Sequence, residues 1–431
     1  MIPKKLNQVT LKRTKDGVTG RMGLSWVAHC LKHYGVEKIL DRHFPRNPKS
    51  HRAIAASRKI IEGALTLIAG GERLEDIEVL RADAGLNESL GGKKIISPDT
   101  LRELLKIRRN GGSLRKSNEE MAIQVMKEAT EKSFTYDNDA TYFDSEKKSA
   151  EYSYQKRKQF SGLLGFVPEL GMCATADFRR GNISPRDGIY NQLRKVIQMA
   201  EKAGKSVGVV RLDSAGHQDK IFAECNKRKI RYYISLVKND EVMESISILK
   251  ETEWSEMSME KNEHEDREWV ETIYAPNKGK AMRMLVLRWP NPDPELFDRT
   301  PYCYHAIGTN DNEIEPMKWL KVHNGRMNSE NYNKELKSGL SGDYAPSHEF
   351  DFNRNYFLLN IFAYNLVQIM KLFYLGASAR KWTIKTLRYR FIQVCGKIVK
   401  SGRRYICKIM NVCDETYALF ESCLSRLVLA T

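Results

Sequence analysis

The sequence lacks closely spaced cysteines. Its eight cysteines are spread over 431 residues, and no two of them form a Cys-x-x-Cys pair. Structural zinc sites are usually built from such pairs, and disulfide-stapled domains are short chains with a much higher density of cysteine. We therefore expect neither kind of site, and we expect reduced thiols of the kind found in cytosolic proteins.

Proline, glycine and uninterrupted apolar runs are also scarce. The 13 prolines and 28 glycines are too few for a collagen-like or low-complexity chain. The basic N-terminal residues are not followed by the apolar stretch of a secretory signal. The longest apolar segment, residues 356–377, could cross a bilayer by length. Polar residues interrupt it near one helical stripe, and this pattern predicts a buried helix instead of a membrane span. They are Asn360, Asn365, Gln368 and Lys371.

The chain has a marked excess of positive charge. Lysine and arginine number 71 against 54 aspartate and glutamate residues, which gives a formal net charge of +17. A basic surface attracts polyanions, and nucleic acid is the commonest such partner, with a membrane surface as the competing interpretation. Basic clusters interleaved with aromatic residues, as between Arg380 and Arg404, are typical of a surface that follows DNA.

The apolar pattern changes along the chain. From about Leu24 to Arg109 it has helical spacing, which suits a DNA-reading domain and a plain helical domain equally well. Strand-like and helical runs then alternate, as in an α/β sheet covered by helices, and residues 388–409 alternate around a Ser-Gly turn like a β-hairpin. The predicted divisions are a helical, DNA-binding region (1–129), the first part of a core (130–240), a β-rich insertion (241–309), the second part of the core (310–378) and a basic C-terminal region (379–431).

Two aspartates follow strand-like runs of the predicted core. Asp139 lies in the segment Tyr-Asp-Asn-Asp-Ala-Thr, and Asp213 follows the run Val-Gly-Val-Val-Arg-Leu. Side chains at the ends of neighbouring strands converge in an α/β sheet, and carboxylates with open positions suit Mg²⁺. Either aspartate taken alone is explained as well by capping a turn.

A charged helical stretch from 323 to 337 supplies a third candidate carboxylate. Arg326, Glu330 and Lys337 recur at helical spacing and share one face. Most charged helices of this kind are simply solvated surfaces. In this sequence the intervals match a known signature.

On these residues the chain resembles the DDE transposases of bacterial insertion sequences, in the group with a Tyr-x2-Arg-x3-Glu-x6-Lys signature. Arg326, Glu330 and Lys337 stand at the intervals of that signature, and His323 stands where the family usually has tyrosine. The segments around Asp139 and Asp213 are similar to the family's first and second aspartate motifs.

The resemblance implies an α/β fold: an RNase H-like mixed sheet with helices on both faces, a β-rich insertion and an all-helical N-terminal region. It implies that Asp139, Asp213 and Glu330 are catalytic and bind two Mg²⁺ ions, for which Mn²⁺ could substitute. His323, Arg326 and Lys337 would contact DNA. For Tyr302 and Tyr304 of the insertion, core packing is favoured over holding a flipped base.

The function implied by the resemblance is cut-and-paste transposition. The protein would bind the terminal inverted repeats of an insertion sequence, cleave a strand at each end and join the ends to target DNA. Its partners would be double-stranded DNA and a second copy of itself, in the bacterial cytoplasm at the nucleoid, without a membrane. The alternatives are an RNase H-like nuclease that cuts without joining and a catalytically inactive DNA-binding descendant of a transposase.

Overall fold

The structure is a computed structural model. It describes residues 16–44, 53–257, 267–276, 279–292, 301–402, 404–410 and 412–428.

The described residues divide into two compact units. One, the terminal unit, combines residues within 1–38, 46–104 and 370–431, and the other, the central unit, contains 39–45 and 105–369. Within the described residues the strands are β1 (Val18–Thr19), β2 (Ser133–Asp144), β3 (Glu151–Tyr152), β4 (Lys158–Val167), β5 (Met172–Arg180), β6 (Ser206–Leu212), β7 (Arg231–Ser235), β8 (Ser255–Glu256), β9 (Glu268–Tyr274), β10 (Met282–Pro290), β11 (Tyr302–Thr309), β12 (Gly396–Ser401) and β13 (Arg404–Ile409). The helices are α1 (Met22–Tyr34), α2 (Val36–His43), α3 (Ala56–Ala69), α4 (Ile77–Ala82), α5 (Ala84–Ser89), α6 (Pro98–Lys106), α7 (Asn110–Glu128), α8 (Ile189–Lys202), α9 (Asp219–Arg228), α10 (Asp240–Ser247), α11 (Pro316–Asn324), α12 (Asn328–Lys334), α13 (Phe350–Ile369), α14 (Ile384–Leu387) and α15 (Asp414–Val428).

The central unit is built on one mixed sheet. Its strand order is β5-β4-β2-β6-β7-β11-β10-β9-β8, with the short β3 also paired to β4. The strands β2, β6 and β7 are parallel, and the other neighbours are antiparallel. With the short β3 left aside, the first five strands of this sheet along the chain (β2, β4, β5, β6 and β7) therefore stand in the order third, second, first, fourth, fifth. The insertion strands continue the same sheet beyond β7.

Helices cover both faces of this sheet. On one face Gln192 of α8 accepts a hydrogen bond from Asn138 of β2 at 2.8 Å. On the other face α12 reaches Asp139, whose side chain points the opposite way because successive strand residues alternate. Gly165 of β4 leaves room for the buried hydrogen bond between Tyr136 and Thr175, since a Cβ there would lie 2.2 Å from the threonine hydroxyl. The expected α/β fold, with a mixed sheet, helices on both faces and a β-rich insertion, is confirmed.

The long apolar segment forms the buried helix that was expected. Helix α13 with the turn that follows it, Phe350–Tyr374, is long and apolar enough to cross a membrane, but 89% of its most apolar window is buried inside the protein. Its polar residues are used internally. Asn365 pairs with both backbone groups of Cys173, at 3.0 and 2.9 Å, and donates to Asn118 of α7 at 3.1 Å. Among the described strands β5 pairs only with β4, so backbone groups along its other side are open to Asn365.

The terminal unit combines N-terminal helices with the C-terminal hairpin. Strand β1 pairs with β12, which pairs with β13, so the hairpin is confirmed for Gly396–Ser401 and Arg404–Ile409. The first residues of the predicted hairpin, 388–392, instead form a helical turn. Arg388 in that turn donates to the last carbonyls of α3, at 3.0 and 3.2 Å. Apart from the two-residue β1, the described N-terminal residues up to 128 are helical or lie in connecting segments, as expected.

Candidate active site

Asp139 and Asp213 lie side by side at the carboxyl edge of the parallel strands. Strands β2 and β6 are paired up to Asn138 and Leu212, and each aspartate is the next residue. Asp213 also caps the short helical turn that follows β6, because its Oδ1 accepts from the backbone N–H of Ala215 at 3.0 Å. The turn-capping role and the predicted convergence of the two carboxylates are therefore both present.

The two aspartates share one electrostatic environment. The pKa of Asp139 is raised to about 6, chiefly by burial and then by the charges of Asp213 and Glu330, while Arg326 opposes the shift. Burial likewise raises the pKa of Asp213, and Arg326 opposes that shift most strongly. Like charges close together disfavour each other's ionisation, so this cluster favours a cationic partner.

Helix α12 contacts β2 next to Asp139. Asn333 donates a hydrogen bond to Oδ2 of Asp139 at 3.1 Å. Lys337, in the wide turn after the helix, donates to the carbonyl of Tyr142 at 2.8 Å. Glu330 precedes Asn333 by one helical turn and is exposed. The predicted third carboxylate is therefore on the face of the helix that contacts β2 at Asp139.

The donor set suits a hard divalent cation. Carboxylate and amide oxygens are the ligands that Mg²⁺ prefers, and Asp139, Asp213 and Glu330 are carboxylates that influence one another. No three His, Cys, Asp or Glu side chains among the described residues are grouped closely enough to hold a metal ion in this conformation. Asp139 and Asp213 are neighbours at the end of the parallel pairing, and Glu330 does not join them as a third ligand in this conformation.

An ion pair that sequence reasoning missed underlies the two aspartates. Arg211 binds Asp137 with two hydrogen bonds, from Nε at 2.7 Å and from Nη2 at 2.6 Å. Burial raises the pKa of Asp137, and the guanidinium of Arg211 opposes that shift. The sequence did contain a signal, because Asp137 and Arg211 stand at the same offset, two residues before Asp139 and Asp213. Asn333, one helical turn after Glu330, was missed in the same way.

His323 lies in the protein interior. It is 3% exposed, and its Nε2 is 3.1 Å from the hydroxyl of Ser235, which is 3.0 Å from Nε2 of His305. The pKa of His323 is lowered to about 3 and that of His305 to about 4, in both cases chiefly by burial and with a contribution from the charge of Arg326. In this conformation His323 has almost no surface to offer to DNA.

Arg326 and Lys337 differ in their surroundings. Arg326 is partly exposed, and its charge influences both aspartates. The Lys337 ammonium lies 5.7 Å from the centre of the Phe143 ring, and burial lowers its pKa. The charge of Arg326 therefore acts on both carboxylates, whereas Lys337 is held against β2.

The aromatic residues of the insertion surround an arginine. Arg288 is 4% exposed, and its guanidinium lies 4.1 Å from the ring centre of Trp254 and 4.4 Å from that of Tyr302. Tyr304 lies 6.2 Å from Trp254. Tyr302 and Tyr304 are both half-buried and pack in this cluster, so packing stays the favoured prediction for them.

Comparison with known proteins covers nearly the whole chain. A family model described as transposase DDE domain group 1 matches residues 3–430. No curated protein matches the sequence. Among solved structures, the chain is similar to a cryo-EM structure of a piggyBac transposase synaptic complex with hairpin DNA, with a TM-score of 0.44 and 7% identity over 95% of this chain and 80% of that chain. The family match includes every residue of the candidate site.

Proposed function

Because the chain belongs to the transposase DDE domain group 1 family, we propose that it binds the terminal inverted repeats of an insertion sequence, cleaves one strand at each end with Mg²⁺ and joins the ends to target DNA. The family match confirms the resemblance to DDE transposases. One observation supports this specific function most strongly: Asp139, Asp213 and the helix that bears Glu330 meet at one edge of the sheet. The setting would be the nucleoid of a bacterial cell.

In this proposal Asp139, Asp213 and Glu330 hold two Mg²⁺ ions, and Mn²⁺ substitutes for them. When bound there, the metal would lower the pKa of the attacking water or 3′-hydroxyl and would stabilise the leaving oxygen. The residues of the chain prepare the site. Asn333 fixes the orientation of the Asp139 carboxylate through its hydrogen bond. The repulsion between the carboxylates keeps the site selective for cations.

Positively charged side chains would hold the DNA. Arg326 places its guanidinium beside the two aspartates, where it can bind a phosphate with two parallel hydrogen bonds. Lys337 can exchange the Tyr142 carbonyl for a phosphate oxygen. We assign His323 to the support of this segment, because its ring binds Ser235 in the interior. Both element ends must be processed together, so a homodimer on double-stranded DNA is part of the proposal.

The experiment uses a labelled duplex that contains the ends flanking the gene. Purified wild type is compared with Asp213→Asn and Glu330→Gln in Mg²⁺, and Glu244→Gln, an exposed carboxylate of α10, is the matched control. We expect wild type and the control to cleave at the element boundary and join the product to a target plasmid. The two site variants should bind the ends with unchanged affinity and give no product.

Each other outcome identifies an alternative. Cleavage by wild type without joining would favour the nuclease. Binding of the ends by wild type without cleavage would favour the inactive descendant. Full activity of Asp213→Asn or Glu330→Gln would refute the proposal that three carboxylates form the catalytic site.

A further inference from the structure

The Asp137–Arg211 pair lies directly beneath the candidate metal ligands. Asp137 and Arg211 are opposite one another in the parallel pairing of β2 and β6. Each precedes an aspartate of the site by two residues, so pair and site share one face of the sheet. The Asp137 side chain is 0% exposed and that of Arg211 is 11% exposed. The ion pair therefore joins, inside the protein, the two strands that position Asp139 and Asp213.

The same guanidinium also contacts the segment that bears the third carboxylate. Nη1 of Arg211 donates to the carbonyl of Val322, in the last turn of α11, at 3.1 Å. Next to this contact, a Cβ on Gly325 would lie 2.1 Å from Nη1. The backbone conformation at position 325 does not require glycine, since its φ of −56° is ordinary for any residue. Glycine is required there because the Arg211 guanidinium occupies the space that a side chain would take.

The guanidinium of Arg211 thus connects β6, which bears it, to β2 through Asp137 and to the end of α11 through Val322. Arg326 follows Gly325 directly, and Glu330 follows within the next helix. A guanidinium has the fixed fork geometry that allows a bidentate carboxylate contact and a third bond to a carbonyl at once. A lysine ammonium retains the charge but lacks that fork.

We propose that Arg211 is a positioning residue that sets the distance between the Asp139–Asp213 pair and the segment bearing Arg326 and Glu330. This rests on the proposed metal-binding function of those carboxylates. Residues that bond metal ligands directly typically change metal affinity or activity about 10- to 100-fold when they are replaced. Arg211 acts through the two strands and the Val322 carbonyl, so we expect an effect toward the lower end of that range. A pair that served only folding would change stability and leave metal affinity unaltered.

The test measures Mn²⁺ binding to the full-length protein by electron paramagnetic resonance, and end cleavage at saturating DNA. The variants are Arg211→Lys and Gly325→Ala; the second leaves the Asp137 and Arg211 side chains chemically intact but displaces the guanidinium. The matched control is Arg283→Lys. Arg283 makes the same kind of contacts, with Glu271 at 2.6 Å and the Asp311 carbonyl at 2.7 Å, on β10, four strands from β2.

We expect both test variants to bind Mn²⁺ at least about tenfold more weakly and to cleave at least about tenfold more slowly, with unchanged DNA affinity. The control should behave like wild type. If Arg211→Lys does not fold, Gly325→Ala decides the matter. Mn²⁺ binding by Gly325→Ala within about twofold of wild type would overturn the proposal, as would an equal loss in the control.

The metal measurement separates this proposal from the proposed function. A wild type that binds Mn²⁺ but does not cleave the ends refutes transposition, while the affinities of the variants still decide the role of Arg211. A wild type that binds no Mn²⁺ refutes both.

Discussion

At the scale of single residues, the ionised Asp139 opposes folding. Its pKa is raised to about 6 in the folded protein, above the usual value of about 4, so the folded state holds the proton more tightly than the unfolded state does. Above pH 6 the ionised group destabilises the fold, and this cost disappears as the pH falls toward 4.

Asp139→Asn should therefore stabilise the metal-free protein at pH 8 by about 1–3 kcal/mol, since the amide can still accept from Asn333. Urea unfolding in EDTA measures this, with Glu244→Gln as control. Mg²⁺ should raise the unfolding midpoint of wild type and leave that of the variant unchanged. A lower unfolding midpoint for Asp139→Asn than for wild type in EDTA would contradict the expectation that the ionised Asp139 destabilises the folded protein.

His323 has the opposite pH dependence. Its folded pKa is lowered to about 3, while an unfolded histidine titrates near 6.5. The unfolded state therefore gains a proton first, and stability is lost as the pH falls below about 6.5, by up to about 1.4 kcal/mol per pH unit.

We expect His323→Gln, which can keep a bond to Ser235, to lose less stability than wild type between pH 6.5 and 4. Urea midpoints across this range give the slopes, and exposed His348→Gln serves as control. Parallel curves for wild type and His323→Gln would show that the histidine is not held neutral.

At the scale of elements, Asn365 fixes α13 to β5. It satisfies both backbone groups of Cys173 and one side chain of α7. Asn360, on the same helix, bonds only the carbonyl of Tyr356 one turn earlier.

Asn365→Leu should cost about 2–4 kcal/mol of unfolding free energy, because it leaves a buried N–H and a buried C=O without partners. Asn360→Leu should cost less than half as much. Urea unfolding of the two variants compares them directly, and equal losses would show that the helix is held by apolar contacts alone.

Local residue spacing in the sequence predicts where strands and helices form. It does not predict which strands and helices contact one another. The position of Asp213 follows from the apolar run that ends at Leu212, and the helical face of Glu330 follows from 3- and 4-residue spacing. The expected strand end at Asp139 is wrong, because β2 continues to Asp144 through its pairing with β4 and only the parallel pairing with β6 stops at Asn138.

The burial of His323 does not follow from local spacing, because it depends on β7 and β11, whose Ser235 and His305 its local spacing does not reveal. For the same reason, β1 pairing with β12 and the insertion joining the core sheet were not predictable from local spacing.

At the scale of the whole molecule, the net charge of +17 governs the encounter with DNA. Affinity for an element-end duplex should fall steeply with salt, since each phosphate contact releases counterions. Fluorescence anisotropy between 50 and 200 mM salt measures the slope of log affinity against log salt. Arg326→Gln should reduce that slope by about 1 and Arg228→Gln should not. A flat salt dependence in wild type would exclude a phosphate-dominated interface.

The hydrogen bonds between β7 and β11 make the insertion inseparable from the core. Residues Tyr233–Ser235 pair with Ile307–Thr309, so the sheet runs without interruption from β2 to β8. Excising 241–309 to obtain a minimal enzyme would leave β7 as an unprotected edge of unpaired backbone groups, open to pairing with other chains. Such a truncated protein should aggregate, so engineering of this protein has to trim the outer strands and keep β11 in place.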